Sequence, residues 1–172
     1  MKKYEIGLYE KAMRNTLTWK EKLQCAKECG YDYLEISIDA TEEKINRIYM
    51  DTEEKREIME AIFDTGIPIG SMSVSALTKY ALGDPDQAVR DRGMEIAEKS
   101  IQLSSALGVR TVMIPGYDIY YGESTIETKR YFLENIRKIA EIAEREGILV
   151  GFETMENNFM NTTGKAVQYV NM

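Results

Sequence analysis

The chain has 172 residues, of which 44% are hydrophobic, so it can bury the core of one domain but not of two. Its net charge is −7 and its lysines and arginines are scattered, which argues against nucleic acid as a partner. No stretch approaches the run of about 18 apolar residues that a membrane span needs, and no signal peptide is evident, so we expect a cytoplasmic protein without a membrane partner.

A glycine followed at once by a β-rich run occurs four times. These glycines lie 36, 42 and 39 residues apart, and they are Gly30, Gly66, Gly108 and Gly147. Such a glycine is typical of a helix end, and the run after it is typical of a buried strand. Repeated units of this length predict either an open doubly wound sheet or a closed barrel of eight parallel strands.

The first unit is predicted to be a strand at residues 5–9, a loop at residues 10–14 and a helix that ends at Gly30. Three apolar residues at helical spacing indicate the helix, namely Trp19, Leu23 and Ala26. Its cysteines, Cys25 and Cys29, stand four residues apart. Because the chain has no histidine, a conventional zinc site has too few ligands, and we expect two buried thiols on one helix face.

The second unit carries acidic residues on its strand and just after it. Residues 33–38 form the predicted strand, with Glu35 in its middle and Asp39 past its end. A charge within an apolar strand is costly unless it has a partner or faces a polar cavity. Glu35 is therefore either the structural partner of a lysine or a substrate contact. The helix that follows is capped by Asp51 or Thr52.

The third strand, at residues 69–74, alternates serines with apolar residues. Ser71, Ser73 and Ser75 would share one small, polar face. Such a face suits a ligand cavity, although serines also fit the tight interior of a barrel. A long loop at residues 76–86 separates this strand from the next helix.

The fourth strand, at residues 111–114, leads into an aromatic loop at residues 115–121. The rings of this loop either pack over the rim of the sheet or recognise a sugar. The fifth strand, in the stretch 149–156, ends in Glu153. Parallel α/β folds keep their chemistry at the C-terminal ends of strands, so Glu153 is a candidate catalytic residue or metal ligand; the alternative is a solvated or ion-paired carboxylate.

The length of the repeat bounds the architecture. At about 39 residues per unit, a barrel of eight units needs on the order of 300 residues. A fifth helix, capped by Asn161, Thr162 or Thr163, has only begun when the chain stops. We therefore expect one α/β domain of parallel (β/α) repeats over residues 1–172. It is either a five-stranded open sheet or a partial TIM barrel of about the first four and a half of eight units.

Four motifs lie at predicted strand ends: residues 7–12 (GLYEKA), 33–39 (YLEISID), 116–121 (GYDIYY), and Glu153 to Met155 followed by residues 159–161. Together they resemble the L-ribulose-5-phosphate (L-xylulose-5-phosphate) 3-epimerases, also labelled hexulose-6-phosphate isomerases, of the xylose-isomerase-like TIM barrels. The resemblance spans the chain but only the N-terminal part of the family's length.

The resemblance implies a sugar-phosphate epimerase or isomerase that acts on a phosphorylated ketopentose. A divalent metal, Mg²⁺, Mn²⁺ or Zn²⁺, is implied at the C-terminal mouth of the barrel, with Glu153 as metal ligand and as acid/base group. Removing a proton beside a ketone creates an enediolate, which a divalent cation stabilises while carboxylates move the proton. Substrate contacts are expected from five residues: Glu35, Asp39, Ser73, Tyr117 and Asp118.

The chain also departs from the family pattern. The remaining metal ligands, an Asp, a His and a second Glu, come from later strands, and that Glu is the second acid/base group. We therefore expect weak or absent metal binding, no activity of the chain alone, and either self-association or a missing C-terminal half. Leu77 stands where the family tends to carry a His, and residues 156–158 replace a Pro-containing turn.

Two other functions remain open at this point. One is a catalytically empty partial barrel that acts as a binding or assembly module, since a sheet with unpaired edges can pair with another chain. The other is a metal-dependent phosphodiesterase such as an abasic-site endonuclease. The absence of histidine and the net charge of −7 argue against this last class.

Overall fold

The computed structural model describes residues 4–172, which form one parallel sheet of five strands together with six α-helices. In chain order the elements are β1 Gly7–Tyr9, α1 Trp19–Glu28, β2 Tyr33–Ser37, α2 Glu42–Asn46, α3 Thr52–Thr65, β3 Ile69–Ser73, α4 Gln87–Ala106, β4 Thr111–Pro115, α5 Ile126–Glu146, β5 Leu149–Glu153 and α6 Thr163–Val170. Single turns of 3₁₀ helix occupy Glu10–Ala12, Arg47–Tyr49 and Ser75–Thr78. The predicted α/β fold of parallel repeats is confirmed.

The strands lie side by side in sequence order, from β1 to β5. Each crossover therefore moves the chain one strand in the same direction. A doubly wound sheet reverses its strand order at a switch point, whereas a barrel does not. The observed order excludes the doubly wound alternative. Within the described residues β1 pairs only with β2, and β5 pairs only with β4, so the sheet is open at both edges.

One face of each strand packs with the helices in a continuous apolar core. Leu34 and Ile36 of β2 are fully buried there together with Ile58 of α3, Ile96 of α4 and Ile139 of α5. Burial of such side chains stabilises the fold by about 1.5 to 3 kcal/mol each. The helical stripes predicted from apolar spacing are thus the faces that hold the sheet and helices together.

Tyr33 shows how closely β1, β2 and β3 approach. A Cβ atom at Gly7 of β1 would lie 2.2 Å from the Tyr33 ring, and one at Gly70 of β3 would lie 2.5 Å from it. The ring therefore fills the space that two glycines leave open. Three neighbouring strands are packed through a single aromatic side chain.

Several local expectations differ from the structure. Cys25 is half-buried and Cys29, which caps the C-terminus of α1, is exposed, so the prediction of two buried thiols is wrong. Helix α2, capped by Thr41, was not predicted, because five residues are too few to show helical spacing. The loop predicted at residues 76–86 begins with a 3₁₀ turn, Ser75–Thr78, in which Ala76 and Leu77 are buried. None of the helices formed by residues 4–172 has the length and apolar character that crossing a membrane requires.

Candidate active site at the C-terminal edge of the sheet

Polar side chains from the first three strands meet near their C-terminal ends. The Tyr9 hydroxyl lies 3.4 Å from the Ser37 hydroxyl and 3.5 Å from the Ser73 hydroxyl. Ser73 is buried, and its described contact is with this tyrosine. The small polar face predicted on β3 thus joins a hydroxyl cluster that spans three strands.

Glu35 points to the same polar face, where Ser71 donates a hydrogen bond of 2.6 Å to its carboxylate. The two residues are paired across β2 and β3. The partner of Glu35 is therefore a serine hydroxyl and not the lysine considered from the sequence. Its second carboxylate oxygen makes no hydrogen bond with the described residues.

Asp39 and Lys11 lie at the ends of the first two strands. The Asp39 carboxylate accepts hydrogen bonds from the Thr41 backbone N–H at 2.9 Å and the Thr41 hydroxyl at 2.8 Å. The Lys11 ammonium is 3.8 Å from Asp39 and donates to the Ser75 hydroxyl at 2.9 Å. Lys11, which the sequence did not single out, thus links the ends of three strands and brings a cation to this edge.

Glu153 is half-buried at the end of β5, where its backbone carbonyl accepts a hydrogen bond of 2.9 Å from the Gly116 N–H. Burial raises the pKa of its carboxyl, the negative charges of Glu35 and Glu156 raise it further, and the charge of Lys11 lowers it. Glu153 thus shares an electrostatic environment with Glu35 and Lys11. Within residues 4–172 its carboxylate makes no hydrogen bond or ion pair.

Tyr117 and Asp118 make their side-chain hydrogen bonds to residues outside this cluster. The Tyr117 hydroxyl donates to the Glu156 carboxylate at 2.7 Å, and burial together with that carboxylate raises the pKa of Tyr117. Asp118 is fully buried, and one of its oxygens accepts hydrogen bonds of 2.7 Å from the Ser124 and Thr128 hydroxyls. In this structure Asp118 holds the loop before α5 in place, and its role as a substrate contact stays a prediction.

Comparison with known proteins decides the family. The family model described as a xylose isomerase-like TIM barrel matches residues 23–172 of this chain. The chain belongs to this family. The fold is therefore the partial TIM barrel that was one of the two alternatives expected from the sequence. Its five strands follow one another in sequence order, as the strands of a TIM barrel do before the sheet closes on itself.

Three similar proteins show how far the similarity extends. L-ribulose-5-phosphate 3-epimerase UlaE of Escherichia coli O139:H28 is 38% identical over 168 residues, which are 98% of this chain but only 59% of the relative. A D-psicose 3-epimerase solved in the presence of D-fructose has a TM-score of 0.80 at 20% identity, over 98% of this chain and 59% of that one. A xylose isomerase-like TIM-barrel protein from Mycobacterium smegmatis, in complex with magnesium, has a TM-score of 0.74 at 15% identity, over 98% and 61%.

The side chains that could ligate a metal do not form a metal site in the described part of this barrel. Among residues 4–172 no group of three or more His, Cys, Asp or Glu side chains is placed to hold an ion. Asp39 is occupied by Thr41 and by the nearby Lys11, and Glu35 is engaged by Ser71. A divalent cation takes about four to eight ligands, so the free carboxylate of Glu153 does not complete a coordination sphere.

Glu10, which sequence reasoning placed in a loop, is the centre of a buried charge cluster. Its carboxylate accepts from the ammonium groups of Lys22 and Lys44 at 2.6 Å each, from the Arg47 guanidinium at 2.6 and 2.8 Å, and from the Ser37 N–H at 3.0 Å. Burial alone would raise the pKa of Glu10, but the bonds and charges of these cations outweigh burial and hold the pKa far below its usual range. The cluster fixes the turn that carries Lys11.

Proposed function

We propose that this chain is the N-terminal part of a sugar-phosphate 3-epimerase in which Glu153 moves the proton on the carbon beside the substrate ketone. The observation that carries the proposal is the state of the Glu153 carboxylate. It lies at the C-terminal end of a barrel strand, half-buried and without a hydrogen-bond partner among the described residues. A general base needs a free carboxylate whose pKa is raised toward the working pH, and burial has this effect on Glu153.

A phosphorylated ketopentose is the proposed substrate. The cation of Lys11 suits a phosphate group, while the carboxylates of Glu35 and Asp39 and the hydroxyls of Tyr9 and Ser73 suit sugar hydroxyls. Similarity to an L-ribulose-5-phosphate 3-epimerase supports the same substrate class. Tyr117 and Asp118 lie in the loop beside Glu153, and their contacts with the substrate stay a prediction for the complete enzyme.

Epimerisation needs a second acid/base group on the opposite face of the substrate. The chain spans 59% of the length of the curated relatives it matches. We propose that the second carboxylate and the further metal ligands come from additional βα units. Without them the 172-residue chain binds a divalent cation weakly and does not epimerise.

A second candidate function is a binding or assembly module without catalysis. The observation that favours it is the pair of strand edges that remain unpaired in the described chain, because such edges accept a further strand. The two functions differ in whether Glu153 matters once a barrel is complete.

The test is incorporation of deuterium from solvent at C3 of a pentulose 5-phosphate. The chain alone is expected to show no exchange, and fusion to the C-terminal part of a relative, or mixing with it, is expected to restore exchange. Glu153→Gln in the restored enzyme should reduce the rate by about 10² to 10⁴-fold. The matched control is Glu60→Gln, an exposed carboxylate on α3. Exchange by the chain alone, or full activity of the restored Glu153→Gln enzyme, would refute the proposal.

A further inference from the structure

A cavity of about 410 Å³ lies between the loop that precedes α5 and the loop that follows β5. Its size falls within the range of about 300 to 1,000 Å³ that small-molecule sites occupy. Glu153 is not among the residues that line it, although the Gly116 N–H at the start of the first loop bonds to the Glu153 carbonyl. The cavity therefore adjoins the candidate active site without sharing its carboxylate.

Aromatic rings form much of the wall. Tyr117 and Phe159 are nearly fully buried beneath the cavity, and Tyr120 stands at its rim with 43% of its surface exposed. The Tyr117 and Tyr120 rings meet edge to face with centroids 4.8 Å apart, so the rim ring is held by the buried one. A ring fixed in this way offers a flat surface for the C–H groups of a sugar.

Hydrogen-bonding groups complete the lining. The Glu156 carboxylate is held by the Tyr117 hydroxyl at 2.7 Å and keeps further acceptor capacity. The side-chain oxygen of Asn157 accepts hydrogen bonds from the backbone N–H groups of Phe159 at 3.0 Å and Met160 at 3.3 Å. This leaves the Asn157 amide N–H₂ without an acceptor in residues 4–172, at the wall of the cavity. Acceptors and donors thus stand beside the rings.

The charges of the lining decide the kind of ligand. Lys129 contributes one cation and Glu156 one carboxylate, so the lining is neutral as a whole. For a phosphate group the attraction of the Lys129 cation and the repulsion of the Glu156 carboxylate offset each other, so the lining gives it no net attraction. Hydroxyl groups, in contrast, can donate to the carboxylate and accept from the amide. We propose that this cavity binds one neutral sugar ring, as a site additional to the proposed epimerase site.

The experiment is saturation-transfer NMR of the 172-residue chain with methyl β-D-glucopyranoside as probe and glucose 6-phosphate as the charged comparison. Wild type is expected to bind the neutral glycoside more tightly than the phosphate ester. Tyr120→Ala should weaken binding roughly 3- to 10-fold, the loss expected for one aromatic contact. Tyr4→Ala is the matched control, because that ring is 71% exposed and does not line the cavity.

Four results would overturn the inference. They are no binding of the glycoside at millimolar concentration, tighter binding of glucose 6-phosphate, unchanged binding by Tyr120→Ala, and an equal loss in Tyr4→Ala. Glu156→Gln adds an independent arm, since its amide keeps the shape of the side chain and should let the phosphate ester bind as well as the glycoside does. The readout is binding without turnover, so a negative result leaves the proposed epimerisation intact.

Discussion

Replacing Glu10 by glutamine should destabilise the chain more than any other single change of charge. The carboxylate is almost fully buried, and it receives five hydrogen bonds, four of them from the cations of Lys22, Lys44 and Arg47. Glutamine would leave two buried cations, Lys22 and Lys44, and the partly buried Arg47 without a counter-ion. Breaking a buried ion pair by removing one partner costs about 3 to 5 kcal/mol. Typical domains have about 5 to 15 kcal/mol of stability in total, so the expected loss is a large part of it.

Urea unfolding followed by the fluorescence of Trp19 measures this loss. Trp19 is the only tryptophan, and its ring lies 4.8 Å from both the Lys22 ammonium and the Arg47 guanidinium, so its signal reports on the cluster. Glu60→Gln on the exposed face of α3 makes the same chemical change, and it should move stability by less than about 0.5 kcal/mol. An unfolding midpoint for Glu10→Gln equal to that of Glu60→Gln would show that the cluster does not hold the fold.

The same cluster predicts the acid sensitivity of the fold. The pKa of Glu10 is lowered in the folded chain, whereas an unfolded glutamate has a pKa of about 4.3. The stabilisation is therefore complete above that value and is lost as the pH falls toward the folded pKa. Wild type should lose stability below about pH 4 more steeply than Glu10→Gln. If the stability of both proteins fell equally steeply below about pH 4, the lowered pKa of Glu10 would be contradicted.

Two further predictions concern metal and packing. After dialysis, elemental analysis should find well below one divalent ion per chain, because the described residues offer one free carboxylate at the strand ends; a stoichiometric ion that resists a chelator would contradict this. Gly70→Ala should lower the free energy of unfolding by about 1 to 3 kcal/mol, since its Cβ would meet the Tyr33 ring at 2.5 Å. Gly151→Ala, where nothing lies within 4 Å of the added Cβ, is the control, and equal effects of the two changes would refute the packing argument.

The fold was predictable because its signals are local. The four glycines that spaced the repeat all have positive φ, between 66° and 80°, which ends a helix in a conformation that other residues rarely adopt. Apolar spacing then identified the longer helices, and Glu153 followed from its place at a strand end. Helix α2 was not predicted, because its five residues are too few to show the spacing of apolar residues along a helix, although Thr41 is a residue type that commonly caps helices.

The charge cluster was not predictable, because its meaning lies in distant partners. Glu10 bonds to residues that are 12, 34 and 37 positions away. Each of these cations, taken alone, looks like a solvated side chain on a polar helix face. Only the packing of α1 and α2 against the ends of β1 and β2 removes water from all of them together. The same reason explains Lys11, whose contacts to Asp39 and Ser75 join three separate units.

The unpaired strand edges lead to a prediction of self-association. Strand β5 bonds only to β4 in the described chain, and its apolar Leu149 is exposed, as are Val167 and Val170 of α6. An exposed strand edge with apolar neighbours pairs with other chains unless a charge blocks it. Sedimentation velocity at micromolar concentration should therefore show dimers or larger species. Leu149→Lys should shift them toward monomer, whereas Phe63→Lys, at a ring that is 89% exposed on α3, should not. If the wild type were monomeric, or if the two lysine substitutions had equal effects, the edge of β5 would not be the contact between chains.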